Sequence, residues 1–158
     1  MKETFTSHFE QIDDLLGDIE SSTSHEGLLA EIDDLCSEIE TAVDDRKNEV
    51  LEWPDARKRQ EASDSRDPYV LNLLSMDESF NVRTLSACNP ELPATSLRRL
   101  AENSNDYVRM VIAHNPATSP EILDRIVELS GEQEVLEAVK ANPNASPVVL
   151  YKIQNRMV

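Results

Sequence analysis

Two sets of charged residues recur in this chain at a spacing that could do binding chemistry. Arg99, Arg125 and Lys152 stand 26 and 27 residues apart, and Arg83 and Arg109 are again 26 apart. Planar guanidinium forks suit carboxylates and phosphates, so cations lined up in this way would read an acidic peptide or a phosphate backbone. The alternative is internal: pairing with Asp106, Asp124 or Glu128 nearby, with the aliphatic stems covering apolar surface. The second set is acidic and contains Asp13, Asp14, Asp18, Asp33, Asp34 and Glu38. Glu10/Asp14, Asp14/Asp18, Asp34/Glu38 and Glu40/Asp44 are like-charged i,i+4 pairs, each costing a helix roughly 0.2–0.5 kcal/mol. No lysine or arginine between residues 3 and 45 offsets them. Such a surface steers and docks a basic partner, mimicry of DNA phosphates being one form of it, or is the solvated outer side of a helix that caps a neighbour.

Catalytic chemistry finds little footing. Gly17, Gly27 and Gly131 are the only glycines and form no phosphate-cradling loop. His8, His25 and His114 are far apart, and none has a nucleophile within a recognisable pattern; a packing or surface position is the simpler reading of His114. Cys36 and Cys88 give neither a metal spacing nor a disulfide framework. No loop alternates Asp or Asn around a central glycine as calcium requires. The expectation is a non-enzymatic chain with no cofactor and no metal.

The net charge of −16 is unevenly placed, since residues 1–65 carry 19 acidic and 6 basic residues, or −13 of the total. A chain so charged repels phosphate, which disfavours direct nucleic-acid binding. There is no apolar run near the ~18 residues of a membrane span, and no basic start leading into an apolar signal segment. With only two cysteines, the expected compartment is the cytoplasm.

The elements that must position these groups are repeats. A shift of 26 residues superposes Leu71, Leu74, Val82, Arg83, Leu85, Ala87 and Asn89 on Leu97, Leu100, Val108, Arg109, Val111, Ala113 and Asn115. One inserted residue brings in Leu123, Ile126, Val135, Ala138, Val139 and Asn142, and Leu150 and Ile153 open a partial copy. Apolar positions at i, i+3 and i+4 within each copy predict two helices. Asp67-Pro68, Ser119-Pro120 and Ser146-Pro147 read as an N-cap followed by proline in the first turn. In the second copy Pro93 comes one position early. Asn89-Pro90, Asn115-Pro116 and Asn142-Pro143 mark helix ends, because proline drives the preceding residue out of the α region, and they predict a stacked column of asparagines.

The phrase Asn-Pro-x-x-Ser-Pro-x-x-Leu-x-x-Ile, preceded by Val-Arg-x-x-x-Ala-x-Asn-Pro, resembles the leucine-rich repeat variant family over about residues 66–158. That resemblance implies a HEAT-like solenoid pairing an α-helix with a shorter, often 3₁₀, helix in each unit. It implies a fold and no activity. The four-cysteine iron–sulfur cluster that can precede such repeats is out of reach with two cysteines.

Ahead of the repeats, Phe5, Phe9, Ile12, Leu15, Leu16 and Ile19 form one helical stripe, and Leu28, Leu29, Ile32, Leu35, Cys36, Ile39 and Val43 form another. Residues 44–49 hold no apolar side chain, so the second helix either breaks there or projects into water. The reading is all-α: an acidic antiparallel helical hairpin over residues 1–53, an exposed connector over 54–66, and a short α-solenoid over 67–158. Its expected function is recognition of another protein through the solenoid face, with Arg83, Arg99, Arg109, Arg125 and Lys152 as contacts and the hairpin as cap or homodimer arm. The alternative is an acidic regulator or inhibitor acting through Asp13, Asp14, Asp18, Asp33, Asp34 and Glu38.

Overall fold

The computed structural model describes residues 25–156 and, before them, Gln11 alone. The stripe from Phe5 to Ile19, and with it Asp13, Asp14 and Asp18, lies outside the described residues. Two compact units divide the chain, Met1–Glu49 and Val50–Val158. No strand occurs among the described residues.

Helix α1, His25–Leu51, runs without interruption through the apolar-free stretch 44–49, so that stretch is helical and exposed except at Arg46. Leu28, Ile32, Leu35, Ile39 and Val43 are its half-buried line, whereas Leu29 and Cys36 turn outward. Residues 28 and 39, 32 and 43, and 35 and 46 repeat at eleven residues, the period that holds side chains in line on a nearly straight helix.

The second unit is a stack of helix pairs. Helices α2 (Asp55–Asp64), α4 (Phe80–Cys88), α6 (Asp106–His114) and α8 (Gln133–Ala141) form one layer, each packed on the one before. Helices α3 (Pro68–Leu74), α5 (Ala94–Asn103), α7 (Pro120–Leu129) and α9 (Pro147–Arg156) form the other. In that layer α7 packs on α5 and α9 on α7, and Ser96 Oγ on α5 donates to Asn72 Oδ1 on α3 at 2.8 Å. Leu71, Leu97, Ile112, Leu123, Ile126, Val139 and Ile153 are each wholly enclosed in one continuous core between the layers. Burying a side chain of this kind is worth about 1.5–3 kcal/mol, so the stripe of each short helix supplies the stability that a nine-residue helix lacks alone.

The punctuation is local chemistry. Asp67 accepts the N–H groups of Tyr69 and Val70, Ser119 Oγ accepts Ile122 N–H at 3.5 Å and Ser146 Oγ accepts Val149 N–H at 3.2 Å. Each satisfies donors that the helix start leaves unpaired. In the second copy Pro93 itself stands at the cap and makes no side-chain bond. Asn89, Asn115 and Asn142 have φ of −72°, −70° and −73° and ψ of 123°, 124° and 128°, the extended conformation that a following proline imposes.

These three asparagines are buried and form the expected column. The Asn115 amide donates to the carbonyls of Ala87 and Asn89 at 2.8 and 2.9 Å, and the Asn142 amide to those of Ala113 and Asn115 at 2.6 and 3.0 Å. Each Oδ1 turns back to accept a backbone N–H two residues on, from Glu91, Ala117 and Asn144. One side chain therefore ends its own helix and satisfies the helix end of the previous unit, where carbonyls would otherwise lie buried and unpaired.

The first rung corrects the reading of residues 54–66 as an exposed connector. Asn89 donates to the carbonyls of Ala62, Ser63 and Ser65 at 3.1, 3.0 and 3.0 Å, all at the end of α2. That helix packs against α4 as the layer partner of an incomplete leading unit, with Ala62 fully buried. Its one large inward side chain is charged: Lys58 Nζ meets Asp77 Oδ2 at 2.8 Å with the two side chains only 16 % and 8 % exposed. An amphipathic stripe is therefore missing from the sequence of α2, because an ion pair and backbone carbonyls dock it. Trp53, just ahead, lies with the Arg57 guanidinium 4.0 Å above its ring, a geometry favourable for a cation over an indole.

Candidate interaction surface

The five cations expected to line a groove are held mainly by the protein's own acceptors. Arg83 donates to the carbonyls of Asp77 and Glu78 at 2.7 and 2.8 Å. Arg109 donates to the Ala101 carbonyl at 2.9 Å and to Asp106 at 3.0 Å. Arg99 reaches back one unit to Asn72 and to Ser75 Oγ, the latter at 2.8 Å. Lys152 does the same to both oxygens of Asp124 at 2.5 and 2.7 Å. Arg125 makes only a surface pair with Glu128 and is 47 % exposed. Arg83 and Arg109 sit on the α4/α6 layer and Arg99, Arg125 and Lys152 on the other, so they do not converge on one groove. Lys152 is held above its ordinary pKa by the hydrogen bond it donates to Asp124, reinforced by Glu128.

Among the acids, Asp33, Asp34 and Glu38 lie exposed along α1. On the second unit two carboxyls are tuned by their surroundings. Burial pushes the Asp77 carboxyl up, but Lys58, the Ser79 N–H and the charge of Arg83 overcome it and hold the group below the usual range. Asp106 is lowered by the Ser130 hydroxyl and by Arg109. Burial raises the Cys88 thiol, which favours the protonated, unreactive form.

The outer faces carry residues that periodicity alone did not single out. Phe80 and Tyr107 begin α4 and α6, are 40 % and 53 % exposed, and lie with ring centroids 5.9 Å apart. The Arg83 guanidinium stands 5.9 Å from the Phe80 ring. Beside them a shallow groove between α6 and α8 is lined by His114, Glu132, Gln133, Glu134, Glu137 and Ala138. Tyr107 shares its slot with Glu134 and Met110 with Glu137, so one layer's surface passes from aromatic to acidic along the stack. Among the described residues, no group of three or more His, Cys, Asp or Glu side chains is placed to hold a metal. No helix of the described residues is long and apolar enough to cross a membrane.

Paired short helices, stacked by a buried asparagine column, define an α-helical repeat protein. Residues 83–143 match the family described as Leucine Rich Repeat Variant domain. No curated protein and no solved structure matches the chain.

Proposed function

We propose that this chain is a non-catalytic recognition module that binds another protein through the outer surface of its repeat stack. The observation that carries the reading is the Phe80–Tyr107 pair, two large aromatic side chains from successive repeats held side by side in water by a rigid frame. Exposed aromatics of low conformational entropy are the side chains that dominate protein interfaces. The neighbouring groove of Glu132, Glu134 and Glu137 gives the same face a negative rim, which favours a partner with basic residues and disfavours nucleic acid. The free thiols of Cys36 and Cys88 suit a reducing compartment, the cytoplasm.

A photo-crosslinking amino acid placed at position 107, with position 121 on the opposite layer as control, tests this in native lysate. A single saturable adduct at 107 and none at 121 is the expected result. Equal adducts at both positions, or none, would remove the reading.

A second reading rests on α1, where Glu31, Asp33, Asp34, Glu38, Glu40, Asp44 and Asp45 are all exposed. Here the acidic helix itself occupies a basic site on the partner. A truncation starting at Val50 separates the two: retention of the partner favours the repeat face, and its loss favours α1.

A further inference from the structure

Phe80 and Tyr107 stand at the starts of α4 and α6, with their ring centroids 5.9 Å apart. The next helix start in the layer is that of α8, where Glu134 takes the slot of Tyr107; Val108 and Val135, the residues that follow, both lie in the core. The three helix starts thus present, in stack order, two aromatic rings and a carboxylate. Asn81 and Tyr107, the earlier occupants of that slot, are exposed on helices packed on both sides, so the openness of Glu134 belongs to this face and not to the end of the stack.

The charge at the α8 end is left for a ligand. Glu132, Glu134 and Glu137 line the groove shared with His114, and of these three carboxylates Glu137 alone has a cation among the described residues, Lys140 of its own helix at 3.0 Å. The arginines of the layer are committed elsewhere, Arg83 to the carbonyls of Asp77 and Glu78 and Arg109 to Ala101 and Asp106. Spacing sets the shape of what fits. Packed helices lie about 8–10 Å apart, axis to axis, and a polyproline-II segment repeats its side-chain direction every three residues, about 9 Å along its axis. A segment laid along the stack would therefore set one side chain on Tyr107 and the third after it on Glu134. Exposed aromatics are the surfaces on which such segments dock, because a preformed extended ligand loses little conformational entropy.

We infer that the row Phe80, Tyr107 and Glu134, with the acidic groove behind it, takes an extended, proline-containing segment of a partner protein. In that segment an aromatic or large aliphatic residue is followed three positions later by arginine or lysine. The inference rests on the reading of this face as a binding surface and names the ligand that its charge and spacing fit.

The probe is a fluorescein-labelled peptide, Gly-Phe-Pro-Pro-Arg-Arg-Gly, titrated with the full chain at physiological salt and followed by anisotropy. Saturable binding is expected, weakened at least tenfold by Y107A and by E134K and unchanged by E121K, which makes the same charge change on the opposite layer. Tyr107, Glu121 and Glu134 are all exposed, so the variants should keep the unfolding midpoint of the native protein. Absence of binding would overturn the inference. So would equal weakening by E134K and E121K, which would mark attraction to the bulk negative charge, or equal binding of Gly-Phe-Arg-Arg-Pro-Pro-Gly, which has the same composition without the spacing. The lysate adduct at position 107 is scored separately: an adduct there with no peptide binding sinks this ligand and leaves the recognition reading standing.

Discussion

The Asn115 side-chain amide donates to the Asn89 main-chain carbonyl at 2.9 Å, one repeat away and fully enclosed. Two residues 26 apart thus share one hydrogen bond that closes a helix end and sets the stacking distance. Replacing Asn115 by alanine leaves the carbonyls of Ala87 and Asn89 and the N–H of Ala117 without this partner. At about 1–3 kcal/mol for each buried group left unpaired, N115A should lose at least ~2 kcal/mol in urea denaturation. N115D should lose more at neutral pH, since a carboxylate would face two carbonyl oxygens. A loss under ~0.5 kcal/mol for N115A would mean that the column is not a source of stability.

The Lys58–Asp77 pair fixes α2 to the loop before α4. Removing one member of a buried pair costs up to about 3–5 kcal/mol; Lys58 retains some water, so D77A should lose roughly 2 kcal/mol. The folded Asp77 carboxyl titrates below its ordinary value of 3.8. Its contribution is therefore fully present above that value and is lost as pH falls through the lower folded value. Acid unfolding followed by Trp53 fluorescence should show a shallower acid limb in D77N than in the native protein.

Charge reversals among the five cations should sort by what each touches. R125E breaks a surface pair and should change stability by less than about 1 kcal/mol. R99E sets a carboxylate against Asn72 Oδ1 and removes the donor to Ser75, so its melting temperature should fall well below that of R125E. Equal melting temperatures would show that the link from α5 to α3 carries no energy.

Truncations test the leading unit. A chain beginning at Val50 keeps the Ala62, Ser63 and Ser65 carbonyls that receive Asn89, and should unfold cooperatively. A chain beginning at Arg66 loses those carbonyls and the helix that packs on α4, and should unfold earlier and less steeply, measured by circular dichroism.

Thiol chemistry gives the last prediction. Burial raises the Cys88 pKa above its ordinary 9.0, so its alkylation rate should still be climbing with pH beyond that value. Mass-resolved iodoacetamide labelling between pH 7 and 10 reads this site separately from Cys36.

Sequence alone determined the elements whose causes are local. Asp67, Ser119 and Ser146 start helices because their side chains reach N–H groups two or three residues away. Asn89, Asn115 and Asn142 end helices because a following proline forbids the α conformation. Repetition then implied the column, since equal slots in a stack must align. The fate of Arg83, Arg99 and Arg109 was decided only by the tertiary structure: their acceptors include main-chain carbonyls of Asp77, Glu78 and Ala101 and side chains one repeat back, and a main-chain acceptor leaves no mark in residue type. Helix α2 escaped for the same reason, being docked by Lys58 and by bonds to its own backbone in place of an apolar stripe. The exposure of Leu150 was equally invisible, because it shares the pattern of Leu97 and Leu123 and differs only in what packs beyond it.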